Sequence, residues 1–454
     1  MRDKPYQRLL DRDSREVPPV LREYSEAGED CSPIAATRYT DPCFFELERR
    51  HLWPHVWQVA CREEDIPETG DIHVYEIADR SFLIVRTGAG QIRAYYNSCL
   101  HRGRKLMDAS GRVEQLRCGF HGWTWNLDGE IKSLPCRSEF AHLDDGGLAL
   151  PQVLVSCWGG FVFINMDLKA PPLEEFLGVL PEHFSRWKLE ECYKVVHVGR
   201  VIRCNWKVAQ EAFMESYHVV ATHPQILSFF DDVGAQYDVF GEHVNRNLAA
   251  FAEPSPHLAH EAGVHEVIEG MFGLWGREDA AAPRGDIGEG GARAYLGGLA
   301  RAALQRTSAT DLGPGSDAEM LDALVYNLFP NFAPWGGFAP NIVYRWRPNG
   351  CDVDSCIMEV MILKRPPRDG RRPEPAALHW LSEDEPWSAA SELHALGPVI
   401  DQDMSNMPQV QEGLKASVSG EVQLGRYVES RIRHFHRTLD AYIERGENRA
   451  GSAP

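Results

Sequence analysis

Nowhere does the sequence hold a run of about eighteen apolar residues, the length a helix needs to cross a bilayer. Its first residues, MRDKPYQRLLDRDSREVPPV, lack the apolar stretch of a secretory leader, so a cytoplasmic protein is the expectation. Positive charge is scarce: 66 Asp and Glu stand against 47 Lys and Arg, for a net charge of -19. That balance argues against nucleic acid or an anionic membrane as partner. There is no internal repeat and no complete G-x-G-x-x-G unit; GAGQIR at 88–93 is only a turn signal. The 11 cysteines are odd in number and scattered, which excludes a disulfide framework and reads as buried thiols or metal ligands.

A chain of 454 residues, 43% hydrophobic and 25% charged, has room for two or three globular domains. Residues 1–45 are polar with helical stretches and are expected to pack over another unit. From Trp53 to about Asn165, short apolar or alternating runs (VWQVA, DIHVYEI, SFLIVRT, GFVFIN) between Gly-rich turns predict a small antiparallel β domain. Beyond Pro171 the pattern mixes: a helix over 205–222, strands over 340–346 and 356–364, and a last helix over 425–445. The Gly- and Ala-rich stretch 276–304 and SATDLGPGSD after it read as an insertion or lid rather than core. The class is α+β.

Residues 99–123, CLHRGRKLMDASGRVEQLRCGFHGW, contain Cys99-x-His101 and Cys118-x-x-His121. Each pair can aim a thiolate and an imidazole from one short loop, with Gly103, Gly119 and Gly122 permitting tight turns. Two cysteines and two histidines suit a structural zinc, or a two-iron two-sulfur cluster in which cysteines hold one iron and histidines the other. Zinc fingers group like with like, whereas here each loop carries one of each. This alternation, with HRG in the first loop and HGW in the second, resembles the Rieske motif.

A second constellation lies in NWKVAQEAFMESYHVVATHPQ, 205–225. His218 and His223 would stand about 140° apart on an ideal helix, so they converge only if the helix is interrupted. Pro224 disfavours helical geometry at His223 and supplies the interruption. Two histidines and a carboxylate make the facial triad of non-haem Fe(II) oxygenases. The carboxylate is sought in DQDMSNMPQVQEGL, 401–414, with Asp403 first and Asp401 in reserve; a solvated helix start is the alternative for that acidic pair.

In order along the chain, RYTDPCFFELERRHLWPHVWQVACREEDIPETGD, the cluster loops, GGFVFIN, NWK, LFPN at 328–331 and the acidic segment resemble the alpha (large) subunit of Rieske non-haem iron oxygenases of the aromatic-ring-hydroxylating dioxygenase type. The resemblance implies an N-terminal segment (1–45), an all-β Rieske iron-sulfur domain (46–166) and a helix-grip, START-like catalytic domain with an antiparallel sheet (167–454). It implies a Rieske 2Fe-2S cluster on Cys99, His101, Cys118 and His121, and a mononuclear non-haem Fe(II) on His218, His223 and Asp403, with Asn406 three positions after the aspartate. It also implies O2 as co-substrate and NAD(P)H electrons through a separate reductase, with or without a ferredoxin.

The implied activity is hydroxylation of a hydrophobic aromatic or alicyclic substrate, as in aromatic hydrocarbon catabolism. The alternatives are a monooxygenase demethylating or oxidising a quaternary amine, methylamine or methoxy compound, and a Rieske electron carrier or redox sensor without oxygen chemistry. Family members are homotrimers, or α3β3 with a beta subunit, in which an acidic residue bridges the cluster of one subunit to the iron of the next. Carried over, the path runs from His121 through Glu215 of the neighbouring subunit to His218. Most members have aspartate where this chain has Glu215, and asparagine is frequent where it has Ala212. Phe213, Met214, Leu227, Phe229 and Phe230 are the expected pocket walls. Arg102, Arg104, Lys105, Arg112 and Arg117, opposed only by Asp108 and Glu114, form a basic patch expected to receive an acidic electron donor.

Overall fold

The computed structural model describes residues 5–25, 30–277, 283, 287, 288 and 290–451. The chain divides into two compact units: a smaller one, Glu46–Phe176 with the chain from Tyr442, and a larger one, the segment up to Phe45 with Leu177–Ala441. Residues 167–176 therefore go with the smaller unit. So does the end of the C-terminal helix Ser430–Gly451, whose Arg449 Nη1 meets Asp167 Oδ2 at 3.0 Å.

In the smaller unit the short apolar runs form a seven-stranded antiparallel sheet. Its order is Gln58–Arg62, Phe161–Asn165, Gln152–Trp158, Gln91–Tyr96, Arg80–Gly88, Asp71–Ile77 and Gly111–Arg112. FVFIN is buried at every position because it lies inside the sheet, between the first and third of these strands. A three-stranded sheet, Leu116–Arg117, Thr124–Trp125 and Ile131–Ser133, stands beside it. One core holds Ile72, Leu83, Val85, Tyr95, Leu116, Trp123 and Trp125 together with Cys99 and Cys118. Cys99 and Cys118 are thus rooted in packed hydrophobic side chains, whose burial stabilises by roughly 25 cal/mol per Å2 of apolar surface.

The larger unit is built on an eight-stranded sheet in the order Phe230–Phe240, Val244–Phe251, Ala323–Leu328, Phe332–Pro334, Asn341–Asn349, Asp352–Lys364, Tyr193–Ile202 and His379–Trp380. All pairings are antiparallel except the last. The N-terminal segment folds onto this unit: Tyr6 Oη donates to Asp322 at 2.9 Å, and Arg293 Nε bonds Asp13 at 2.9 Å.

Two expectations are corrected. Of the stretch read as an insertion or lid, 278–282, 284–286 and 289 lie outside the described residues, but Gly291–Thr307 is a helix burying Ala292, Arg293, Leu296 and Gly297. Arg293 grips Asp322 with two bonds of 2.7 and 2.8 Å, so this helix is core, and Leu312 and Ser316 of SATDLGPGSD are buried as well. The helix over 205–222 is also not continuous: Trp206–Glu211 ends, a turn follows, and a one-turn helix Val219–Thr222 begins anew. Among the described residues, no helix is long and apolar enough to cross a membrane.

Candidate metal centres

The two cluster loops fold alike. In the first, the Cys99 N–H donates to the Arg104 carbonyl and the Gly103 N–H to the Cys99 carbonyl, both at 2.9 Å. In the second, Cys118 N–H reaches the Trp123 carbonyl at 2.8 Å and Gly122 N–H the Cys118 carbonyl at 3.1 Å. Both turns close through a glycine in left-handed conformation, φ 75° at Gly103 and 76° at Gly122, where any side chain is strained. Asn97 staples the first loop, its Oδ1 accepting the N–H groups of Leu106 and Met107 at 2.8 and 3.0 Å.

Cys99 and Cys118 are buried side by side, and the His101 and His121 rings lie 4.5 Å apart. Burial opposes ionisation of both thiols. At Cys118, the Phe120 N–H, the Cys99 thiol and the His121 N–H outweigh it and lower the pKa, while Cys99 is raised. His101 is stacked on Trp123 with 3° between the ring planes, and its Nδ1 is buried without a hydrogen-bond partner. A buried ring nitrogen with nothing to bond is costly unless it ligates.

The four side chains do not converge on a single ion. Among the described residues, only His218, His223 and Asp403 bring three ligand atoms within 4.8 Å of one another. A tetrahedral zinc would need all four donors that close. Cysteines paired on one side and histidines on the other fit a two-iron cluster instead.

The second centre explains the interval of five. His218 is the residue before the one-turn helix Val219–Thr222, and His223 the residue after it, with φ -125° and ψ 50° ahead of Pro224. The two rings therefore meet edge to face across a single turn, with centroids 5.2 Å apart. Asp403, on the helix Leu396–Ala416, places Oδ1 2.9 Å from His223 Nε2 and 3.6 Å from His218 Nε2.

Both Nδ1 atoms are engaged elsewhere. His218 Nδ1 meets Glu215 Oε1 at 2.7 Å, and His223 Nδ1 meets Gln402 Oε1 at 2.9 Å. An acceptor at Nδ1 fixes the proton there and leaves the Nε2 lone pair free for a cation. Glu215 Oε2 also accepts the His218 backbone N–H at 2.9 Å, and its side chain is only 9% exposed, so it is no solvated surface glutamate. Burial disfavours the charged His218 ring, yet Glu215 and Asp403 together raise its pKa.

Asp401 points elsewhere, accepting the Trp387 and Ser388 N–H groups at 2.6 and 3.1 Å. Asn406 bonds back to the Gln402 carbonyl. Gln402 carries no signal in the sequence beyond preceding Asp403. Of the expected wall residues, Phe213 packs on Tyr344 and Trp346, with centroids 4.7 and 5.2 Å away. Leu227 and Phe230 belong to a cluster with Val219 and Tyr237, Phe229 stacks near Phe251, and Met214 is buried.

The basic patch is smaller in effect than its residue count. Arg104 meets Asp108 at 3.2 Å, Lys105 meets Glu76 at 2.5 Å and Arg112 meets Asp71 at 2.6 Å. Arg102 and Arg117 remain exposed without a carboxylate at ion-pair distance among the described residues. Arg102 lies over the exposed Phe120 ring and 2.6 Å from His121 Nε2.

The family description "Ring hydroxylating alpha subunit (catalytic domain)" fits residues 182–445, and "Rieske [2Fe-2S] domain" fits 56–153. The glycine betaine monooxygenase oxygenase subunit of Chromohalobacter salexigens is 31% identical over 42% of this chain and 43% of its own length. The match spans less than half the length of the first curated relatives. A quaternary ammonium Rieske monooxygenase solved with L-carnitine superposes with a TM-score of 0.65 at 17% identity, over 93% of this chain and 99% of that one. A naphthalene 1,2-dioxygenase bound to phenanthrene gives 0.63 at 19%, over 92% and 93%. At such identities these likenesses speak for the fold alone.

Proposed function

Because the chain belongs to the ring-hydroxylating alpha-subunit family and carries a Rieske domain before its catalytic domain, we propose that it is the oxygenase component of a multicomponent Rieske non-haem iron oxygenase. The cofactors are those of the family, a Rieske 2Fe-2S cluster and a mononuclear iron. Cys99, His101, Cys118 and His121 would hold the first, and His218, His223 and Asp403 the second. When bound, they supply electron transfer and dioxygen activation.

This chain's own residues orient that chemistry. Glu215 and Gln402 hold the Nδ1 protons of the two histidines, and Asp403 offers one oxygen to both Nε2 atoms. Glu215 is also the carboxylate that would reach His121 of a neighbouring subunit in a homotrimer or α3β3 assembly. In the single chain Arg102 Nη2 lies 2.6 Å from His121 Nε2, so the bridge requires Arg102 to turn away or to share the carboxylate. Electrons come from NAD(P)H through a separate reductase, with or without a ferredoxin, in the cytoplasm.

The observation that carries this reading is the convergence of two Nδ1-anchored histidines with a buried carboxylate. It is tested by metal analysis of protein loaded anaerobically with iron and sulfide. About three irons per chain and substrate-dependent O2 uptake are expected, whereas a Rieske carrier without oxygen chemistry holds about two.

The main substrate reading is a hydrophobic aromatic or alicyclic compound. A quaternary amine or related methylated compound is the second, and one observation favours it. Tyr344, whose pKa burial and the Asp403 charge both raise, stands with the buried Trp346 and the half-buried Phe213 in an aromatic cluster near Asp403. Such faces attract an alkylammonium. A panel of aromatic hydrocarbons and betaine-like compounds, scored for product and for peroxide leakage, separates the two.

For the electron donor, Arg117 and Arg102 carry the uncompensated charge near the cluster. Arg117→Glu is expected to slow reduction by an acidic donor about 10-fold at low salt, with the difference vanishing at high salt. Stopped-flow rates indifferent to both salt and this change would remove the docking role.

A further inference from the structure

Arg431 stands in the first turn of the helix Ser430–Gly451 with 0% of its surface exposed. Among the described residues it has no carboxylate at ion-pair distance. A guanidinium buried without a counter-ion is expensive, so what it holds matters. Its Nε donates to Asn245 Oδ1 at 2.6 Å and its Nη1 to the Met214 carbonyl at 3.0 Å, while the buried Nη2 has no partner. Burial pushes this guanidinium down to about 9, with Tyr237, Asp238 and Glu215 acting the other way.

Met214 is the residue before Glu215, in the turn between the helices Trp206–Glu211 and Val219–Thr222. On the other side of Glu215, the Ser216 N–H donates to Tyr237 Oη at 3.1 Å and Ser216 Oγ to Asn247 Oδ1 at 3.2 Å. The peptide groups flanking Glu215 are therefore gripped by side chains of the sheet on one side and of the C-terminal helix on the other. Of these clamps, Arg431 is the one that ties the turn to that helix, on which it stands, and its fork reaches Met214 and Asn245 of the strand Val244–Phe251 at once.

We infer that Arg431 is a positioning residue for the mononuclear centre: by fixing the Met214 carbonyl it sets the direction from which Glu215 holds the His218 ring. The inference rests on the reading that His218 ligates a metal. Outer groups that orient a ligand histidine are worth 10–100-fold in metal affinity.

The test uses the full chain, freed of mononuclear metal, titrated with Co2+ and followed by its visible d–d absorption. Arg431→Met, which removes fork and charge, is expected to weaken Co2+ binding about 10-fold or more and to alter the band shape. Arg431→Lys, which restores one donor, is expected to recover part of the affinity. Should Arg431→Met not fold, Asn245→Ala removes the Nε acceptor, together with the Asn245 Nδ2 bond to His434 Nδ1, and is expected to weaken binding several-fold. A melting temperature that drops while Co2+ affinity and spectrum stay those of wild type would reduce Arg431 to a structural role and overturn the inference. Wild-type protein that takes up no Co2+ would overturn the metal-centre reading itself, and this inference with it.

Discussion

Glu215→Gln is expected to keep its Rieske spectrum and about three irons per chain while NAD(P)H-driven product formation falls about 100-fold. The two carboxylate oxygens have separate duties: Oε1 receives the His218 ring proton and Oε2 the His218 backbone N–H. Glutamine has the same length and can still accept the ring proton through its carbonyl. Its amide, however, then turns a donor toward the backbone N–H, and one buried bond is lost at about 1–3 kcal/mol. The histidine stays in place and retains metal. What disappears is the negative charge that would receive a second hydrogen bond from a cluster histidine. Glu215→Asp keeps the charge but is a methylene shorter, and intermediate turnover is expected. Iron content, the visible spectrum and product yield, measured on one preparation, make the check. Wild-type coupled turnover in Glu215→Gln would remove the bridging role.

Asp403→Ala should lower the iron from about three to about two per chain and abolish turnover. Asp403 is buried, and its Oδ1 is the only carboxylate oxygen in the three-residue group that faces both Nε2 atoms. Alanine leaves two imidazoles, too few donors for Fe(II). Asp401→Ala is the contrast. Its carboxylate caps the N–H groups of Trp387 and Ser388 at the start of the one-turn helix Trp387–Ala389, so iron and activity should persist while stability falls by about 1 kcal/mol. If Asp401→Ala lost iron and Asp403→Ala kept it, the ligand assignment would be reversed.

The cluster loops were legible in the sequence because their chemistry is local. Each cysteine, histidine and left-handed glycine lies within a few residues of its partners, so spacing alone carries the turn geometry. The opposite holds for the basic patch. Arg104, Lys105 and Arg112 look like free charge along the chain, yet two of their three partners, Glu76 and Asp71, come from the strand Asp71–Ile77. The Gly/Ala-rich stretch misled for a related reason. Composition reads 276–304 as an insertion or lid, while the buried bonds of Arg293 to Asp322 and Asp13 tie its helical part to the core from residues far away.

The sequence by itself determined the residue types available to the two candidate centres: the alternating Cys and His pairs, the two histidines ahead of Pro224, and a short acidic segment able to complete a triad. The tertiary structure decided how they are used. The interval of five works because two helix ends, not one, bracket His218 and His223, and a break at 212–218 depends on contacts that Arg431, Tyr237 and Asn247 bring from other elements. Asp401 and Asp403, between which spacing left the ligand open, point different ways because the helix Leu396–Ala416 turns successive side chains about 100° apart. Asp403 and Gln402 reach the histidines and Asp401 caps a distant turn. Direction across a packed interface is not written in any one segment, because it is set by which surfaces the whole chain buries together.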